Sequence, residues 1–163
     1  MPPTYPRTGL RAALLAVLLP LAACGASRAP ESPGPTARHA GDTPEMQAMI
    51  HRYASFLEIP PDLLSHVIAV ESGYNPQARN GSYYGLMQIA PQTARTMGYD
   101  GPDSGLLDPE TNLRFAGAYL RGAYIVANGD PERAYDWYRK GYYYEARDRS
   151  LLVETGLAKR ELR

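Results

Sequence analysis

This sequence predicts a mainly α-helical domain, on three observations. Proline recurs where helices would begin, at Pro44, Pro61, Pro91, Pro109 and Pro131, the first-turn position where its missing N–H costs nothing. Between these prolines apolar residues recur at helical three- and four-residue spacing. No stretch alternates with period two over more than a few residues, so a sheet of any size is excluded. At 163 residues, with 44% apolar and 21% charged side chains, the chain has the size and composition of one globular domain.

The elements follow in order. Asp42 or Thr43 caps a first helix with Pro44 in its opening turn, and Asp42 and Glu45 have capping-box spacing. Met46, Met49, Ile50, Tyr53, Phe56 and Leu57 fall on one stripe of that helix. Pro60-Pro61 stops it and starts a second, which runs through Leu64, Val67 and Ile68 to Glu71. Asn80-Gly81 followed by Ser82 to Tyr84 is the best strand candidate, at most a small hairpin. Pro91 opens a short helix that Gly98 ends. Asp108-Pro109 opens the longest, with Leu113, Ala116, Gly117, Leu120, Tyr124 and Ala127 on one face and Asn128-Gly129 as its stop. Small Ala116 and Gly117 leave room for a neighbouring helix. Asp130-Pro131 opens another helix through Ala134 and Trp137-Tyr138 towards Gly141, and the tail from Leu151 is read as helical. There is no internal repeat or sustained heptad.

Residues 1–23 read as a signal peptide. Arg7 and Arg11 precede an apolar run from Ala12 to Ala23, which at 1.5 Å per residue spans about 18 Å, too short for a bilayer core. The run ends in Leu21-Ala22-Ala23-Cys24-Gly25 and resembles a bacterial lipoprotein signal, with cleavage before Cys24 and lipid carried on its thiol. Residues 24–41, rich in Gly, Ser, Pro and Ala, read as a flexible tether, and the folded domain as 42–163. Gly25, in place of Asp after the cysteine, resembles the outer-membrane sorting pattern of a Gram-negative source. That places the domain in the cell envelope, anchored to the membrane by lipid and facing the periplasm. With 17 basic and 17 acidic side chains the chain has no formal net charge, which excludes non-specific nucleic-acid binding. One cysteine excludes an intrachain disulfide and a multi-cysteine zinc site. His39, His51 and His66 have no metal spacing, and neither a metal nor a cofactor is expected.

Glu71 breaks its own pattern. Leu64, Val67 and Ile68 lie seven, four and three residues before it, so a carboxylate falls on the apolar stripe of the second helix. Desolvation there disfavours the charged form and suits an acid that must carry a proton near neutral pH. The other reading is that the helix ends at this point and lets Glu71 reach water or an arginine. Glu71-Ser72-Gly73-Tyr74-Asn75-Pro76 then leaves the helix through a glycine and an Asn-Pro turn.

Further motifs follow in order: Gly85-Leu86-Met87-Gln88, Pro91, Thr93-Ala94, Leu107-Asp108-Pro109, Asn112, Gly117 and Tyr119-Leu120. With Glu71-Ser72 and Asn75-Pro76, they make roughly residues 46–145 resemble the lytic transglycosylase domain of the goose-type lysozyme clan. The resemblance implies a lysozyme-like α-helical fold and an enzyme acting on peptidoglycan glycan strands. One segment departs: where the family has Tyr-Asn-Ala-Gly, this chain is read as having Tyr138-Arg139-Lys140-Gly141. Arg139 and Lys140 are read as solvated cations at a helix C-terminus; the alternative is that Arg139 meets a peptide carboxylate of the substrate or lowers the pKa of Glu71. Ser82-Tyr83-Tyr84 also replaces residues that are often small in the family.

By the same resemblance, Glu71 protonates the glycosidic oxygen between N-acetylmuramic acid and N-acetylglucosamine, then accepts the proton of the muramic 6-hydroxyl, leaving a 1,6-anhydro end without consuming water. No second acid is tied to Glu71 by motif; Asp100, Asp103 and Asp108 are candidates by type, with Asp108 better explained as an N-cap. Ser72 is expected to bond near the acid or the substrate acetamido group. Gly85, Met87 and Gln88 are expected to line the cleft, Met87 against a sugar face or as core filler. Tyr138 is expected to hold Glu71. Thirteen tyrosines against two Phe and one Trp suggest rings for stacking on sugars, with Tyr83-Tyr84 and Tyr142-Tyr143-Tyr144 divided between groove and core. A glycan-binding lipoprotein without turnover and a hydrolytic muramidase are the competing readings.

Overall fold

The computed structural model of the chain describes residues 39–161; the segment read as a signal peptide, Cys24 and the segment read as a tether through residue 38 lie outside them. The elements are α1 (Pro44–Leu57), α2 (Pro61–Ser72), β1 (Arg79–Asn80), β2 (Tyr83–Tyr84), α3 (Pro91–Thr96), a 3-10 turn (Asp103–Leu107), α4 (Pro109–Val126), α5 (Pro131–Lys140) and α6 (Tyr143–Asp148). Helix α4 is central: α1, α3, the 3-10 turn and α5 all pack on it, while α2 bridges α1 and α5.

Each long helix starts on a proline, as the sequence predicts. Asp108 accepts from the Thr111 N–H and Asp130 from those of Glu132 and Arg133, side-chain caps each worth about 1 kcal/mol. Of the two expected caps for α1, Thr43 is the one used. Thr43, in extended conformation, accepts from the Met46 N–H, while Asp42 instead accepts from the Gln47 amide at 2.6 Å, so the Asp42–Glu45 box does not form.

The core is made of Ile50, Ala54, Leu57, Leu64, Val67, Ile68, Leu86, Met87, Leu106, Leu113, Ala116 and Leu120. At Gly117 an added Cβ would run into Leu57, so the missing side chain is what lets α1 close on α4. Phe56 departs from its predicted stripe: it is 71% exposed, off the α1 face that Ile50, Ala54 and Leu57 bury. His39 and Gly41, assigned to the tether, lie against Tyr74 just after α2.

The C-terminal tail is the main correction. Residues 151–160 form successive turns, not a helix. Ser150 and Gly156 sit at φ of 55° and 75°, left-handed positions that interrupt helical backbone just before the segment and at its middle. Glu161 folds back to accept the N–H groups of Leu152 and Val153, and Leu152 is fully buried beside Tyr142 and Ala146. The small sheet is the expected hairpin. Asn80 pairs with Tyr83 across a Gly81-Ser82 turn whose first residue alone has positive φ, the role glycine fills without strain.

One polar residue ties these parts together. Asn112, on the buried face of α4, accepts from the Met87 N–H at 2.9 Å and donates to the carbonyls of Tyr84 and Leu106, each at 2.8 Å. Asn112→Ala leaves those three backbone groups without partners. It is expected to cost about 3 kcal/mol or more, read as a lower denaturant midpoint at unchanged m-value. Gly85→Ala, at φ 75° and with its new methyl overlapping Asn112 and the Leu106 carbonyl, should destabilise comparably; a neutral result in either variant refutes the tie.

Candidate active site

Glu71 is the penultimate residue of α2, just before Gly73 ends the helix at φ 59°. Its carboxyl is half-buried and faces a cleft of about 510 Å³. Ser72 extends the α2 wall; Ala78, Arg79, Asn80 and Tyr83 come from the hairpin and its approach, Gln88 from the loop after it, and Tyr138 and Arg139 from α5. Among the described residues that line this cleft, Glu71 is the one carboxylate.

The electrostatics agree with the placement. Burial pushes the Glu71 carboxyl above the usual carboxylate range; a hydrogen bond from Tyr135 and then the positive charge of Arg139 pull it down, without overcoming burial. Tyr135 Oη donates to Glu71 Oε1 at 3.3 Å. The Tyr135 ring is held edge-on by His66, centroids 5.1 Å apart, and covered by the Arg139 guanidinium 5.0 Å from its centre.

The loop opposite is built with little freedom. Tyr84 and Ile89 exchange backbone hydrogen bonds, both at 3.1 Å, and so close a four-residue loop of Gly85-Leu86-Met87-Gln88. Gln88 has φ 47°, uncommon for a residue with a side chain. Its amide nitrogen holds it there by donating to the carbonyls of Ala78 at 3.1 Å and Gly85 at 3.0 Å. With that nitrogen committed, the Gln88 side-chain oxygen is the group left to receive a donor in the cleft.

Several expectations change. Ser72 and Gln88 lie in the cleft, though the Ser72 hydroxyl donates back to the Ile68 carbonyl at 3.2 Å and not to the acid. Met87 is fully buried and Gly85 is buried beneath the loop, so neither lines the cleft; the core reading of Met87 is the correct one, because Leu86 and Met87 both enter the core cluster. Tyr138 lines the cleft, but its hydroxyl donates to the Met87 carbonyl at 2.7 Å. Burial holds its phenol well above the usual range, so it remains a donor. The tyrosine that bonds the acid is Tyr135, one helical turn earlier. Placing the family pattern's Tyr on that residue moves its Asn to Asp136, which accepts from Arg139 at 2.8 Å. Arg139 is exposed, as expected of a helix C-terminus, and also lines the cleft.

The tyrosines divide unevenly. Tyr142 is buried, donating to the Tyr119 carbonyl at 2.8 Å. Tyr143 and Tyr144 are exposed on α6 and do not line the cleft, whereas Tyr83 does. Asp103 pairs with Arg95 and Asp108 caps α4, which removes both as partners of Glu71. Asp100 lines a different depression with Phe56 and Arg114. No cluster of His, Cys, Asp and Glu able to hold a metal occurs among the described residues.

Tyr135 and Asn112 were missed as working residues, although both carried a signal. Tyr135 lies three before Tyr138 on the same helical face, and Asn112 sits polar on an apolar stripe, four before Ala116.

The chain is similar to proteins of known kind. It is 37% identical over 84 residues to the soluble lytic murein transglycosylase of Escherichia coli strain K12, a match covering 47% of this chain and 13% of that protein. It is 39% identical over 80 residues to the endo-type membrane-bound lytic murein transglycosylase A of Klebsiella pneumoniae, covering 44% and 37%. The crystal structure of the 70 kDa soluble lytic transglycosylase SLT70 of Escherichia coli superposes with a TM-score of 0.55 at 29% identity, over 66% of this chain and 18% of that one. This chain thus matches only a minor part of each of these proteins. The fold is the lysozyme-like helical one expected. Residues 48–150, well over half the chain and including both Glu71 and Tyr138, match the family model for the transglycosylase SLT domain, and the chain belongs to that family.

Proposed function

We propose that this domain is a peptidoglycan lytic transglycosylase that cuts the β-1,4 bond between N-acetylmuramic acid and N-acetylglucosamine and leaves 1,6-anhydromuramic ends. The observation that carries this reading is a single half-buried carboxyl, raised in pKa by burial, facing a glycan-sized cleft that no second carboxylate lines among the described residues. Glycosidases that hydrolyse generally use two carboxyls. With one, the substrate supplies the nucleophile: the muramic N-acetyl oxygen attacks its own anomeric carbon as Glu71 gives its proton to the departing oxygen. Glu71, now a carboxylate, takes the proton of the muramic 6-hydroxyl, whose oxygen closes the anhydro ring and releases the acetamido group. The proton count balances, and no water enters. Ser72, Gln88 and Tyr138 are assigned to substrate contact, Gly85 and Met87 to the loop that presents Gln88, and Tyr135 to orienting Glu71.

The N-terminal sequence supports a lipid anchor on Cys24 and a tether from which the domain reaches wall strands, in the cell envelope and at the outer membrane facing the periplasm. Among the described residues no helix is long and apolar enough to cross a membrane.

Purified peptidoglycan incubated with the wild-type protein should yield anhydro-muropeptides by mass, and Glu71→Gln should lower the rate at least about 100-fold, the usual scale for loss of a general acid. Products heavier by one water would identify a muramidase, and binding without products a glycan-binding protein. Because the acid must be protonated, kcat/KM should fall as pH rises through the Glu71 pKa. Tyr135→Phe, which removes a bond that favours the carboxylate, should move that alkaline limb to higher pH; a shift to lower pH refutes the assignment. Stability carries the same sign. The folded state holds the Glu71 proton to higher pH than the unfolded chain does. The wild type therefore loses stability as pH rises from the unfolded value of about 4.3 through the raised folded value. Glu71→Gln should melt above wild type at pH 7, with the gap narrowing at pH 4.

A further inference from the structure

We propose that His66 is a positioning residue: packed edge-on against Tyr135, it holds that phenol on the carboxyl of Glu71. This rests on the function proposed above and names a residue that serves its acid without entering the cleft. The bond from Tyr135 to Glu71 Oε1 is long, 3.3 Å, so a small drift of the ring would lose it. Two groups restrain the ring. Arg139 covers its face at 5.0 Å, but Arg139 lies four residues on along the same helix, α5, and moves with it. His66 meets the ring at 90°, centroids 5.1 Å apart, and comes from α2. Perpendicular rings at that separation are a favourable arrangement for two aromatic side chains.

The place of His66 on α2 gives it this role. Glu71 lies five residues further along the same helix, a rise of about 7.5 Å, so a tyrosine laid along α2 can rest its ring on one and its hydroxyl on the other. The acid and the support for its hydrogen-bond donor are thereby fixed relative to each other by continuous helical backbone. His66 does not line the cleft; it lines a groove that Tyr135 also lines, with Asp62 on its own helix and Glu132 and Asp136 on α5. His39 and Asp42, ahead of α1, are the other titratable groups beside it among the described residues, with Tyr74 after α2. Around Glu71 stand Tyr135, Tyr138 and Arg139 of α5, Arg79 of β1 and Tyr83 of β2. His66 is exposed away from Tyr135, so a substitution leaves the buried α2 face of Leu64, Val67 and Ile68 intact.

The test titrates the Glu71 carboxyl by carboxyl-carbon NMR in the purified protein, its resonance assigned by loss in Glu71→Gln. The Tyr135 bond favours the carboxylate, so loosening it must raise the Glu71 pKa. His66→Ala should raise it by at least about 0.3, a twofold change in proton affinity and the same direction as Tyr135→Phe. His66→Phe keeps an edge-on ring without a titrating group and should restore the wild-type titration. In a Tyr135→Phe background, His66→Ala should add nothing. On peptidoglycan, the alkaline limb of kcat/KM should follow the NMR value in each variant, with KM within about twofold of wild type because His66 does not meet the glycan. An unmoved Glu71 in His66→Ala overturns the proposal. So does a His66→Phe shift equal to that of His66→Ala, which would make the imidazole's charge the cause, or a shift that survives Tyr135→Phe. If the protein cuts no glycan, the function proposed above fails, and the titration still decides this proposal.

Discussion

The geometry of the cleft depends on a side-chain amide buried in the centre of the domain. Asn112 offers one acceptor and two donors in a plane, and the backbone around it presents one N–H and two carbonyls at matching positions. An aspartate lacks the donors, and a leucine of similar size would strand all three groups in a region without water. The Met87 N–H that Asn112 fixes belongs to the loop whose next group, the Met87 carbonyl, takes the Tyr138 hydroxyl. Tyr138 thereby ties α5 to that loop, and α5, packed on α4, carries Tyr135 to Glu71. From α4 to the acid, hydrogen bonds to defined atoms alternate with covalent backbone, so a residue that never meets the cleft helps to place Tyr135.

At Glu71 three influences compete, and their order explains how one group serves as acid and then base. Burial is the largest and holds the proton; the Tyr135 bond and the Arg139 charge oppose it. Were burial alone acting, the carboxylate left after the first proton transfer would be stranded. A phenol at 3.3 Å and an exposed guanidinium nearby give it partial compensation. Neither is strong enough to discharge the acid beforehand, since the phenol bond is long and the guanidinium is shared with Asp136.

What the sequence made legible follows from where local rules operate. Proline at N1, Asp and Thr caps and glycine stops act within a turn of chain, so the starts of α1, α2, α3, α4 and α5 could be read directly. Glu71 was legible because a carboxylate on an apolar stripe is a contradiction that spacing alone exposes. The tail was not legible, because good helix formers such as Leu151, Leu152, Glu154, Leu157 and Ala158 predominate there with no proline among them, while the turns are held by Glu161 folding back onto the N–H groups of Leu152 and Val153. Tyr135 is not distinguishable from Tyr138 by spacing, because residues three apart share a helical face. Which of two phenols reaches a carboxyl on another helix is a fact of packing between α2 and α5, and no periodicity contains it.

The same distinction separates what this chain shares with its family from what it changes. The family-like residues Gly85 and Asn112 sit where a different side chain would overlap backbone or leave a polar group unpaired, and Met87 fills the buried core beneath the loop. Tyr83, where the family often has a small residue, and Arg139, which follows the Tyr135-Asp136 segment, are exposed at the cleft, where a substitution alters what the cleft meets without disturbing the loop beneath it. Arg79, stacked on Tyr84 at the same rim, is free to vary for the same reason. A rigid interior that places one acid, combined with a rim free to change its charge, allows specificity to shift while the position of Glu71 stays constrained. The rim is therefore where differences in substrate preference between members of the family should be sought.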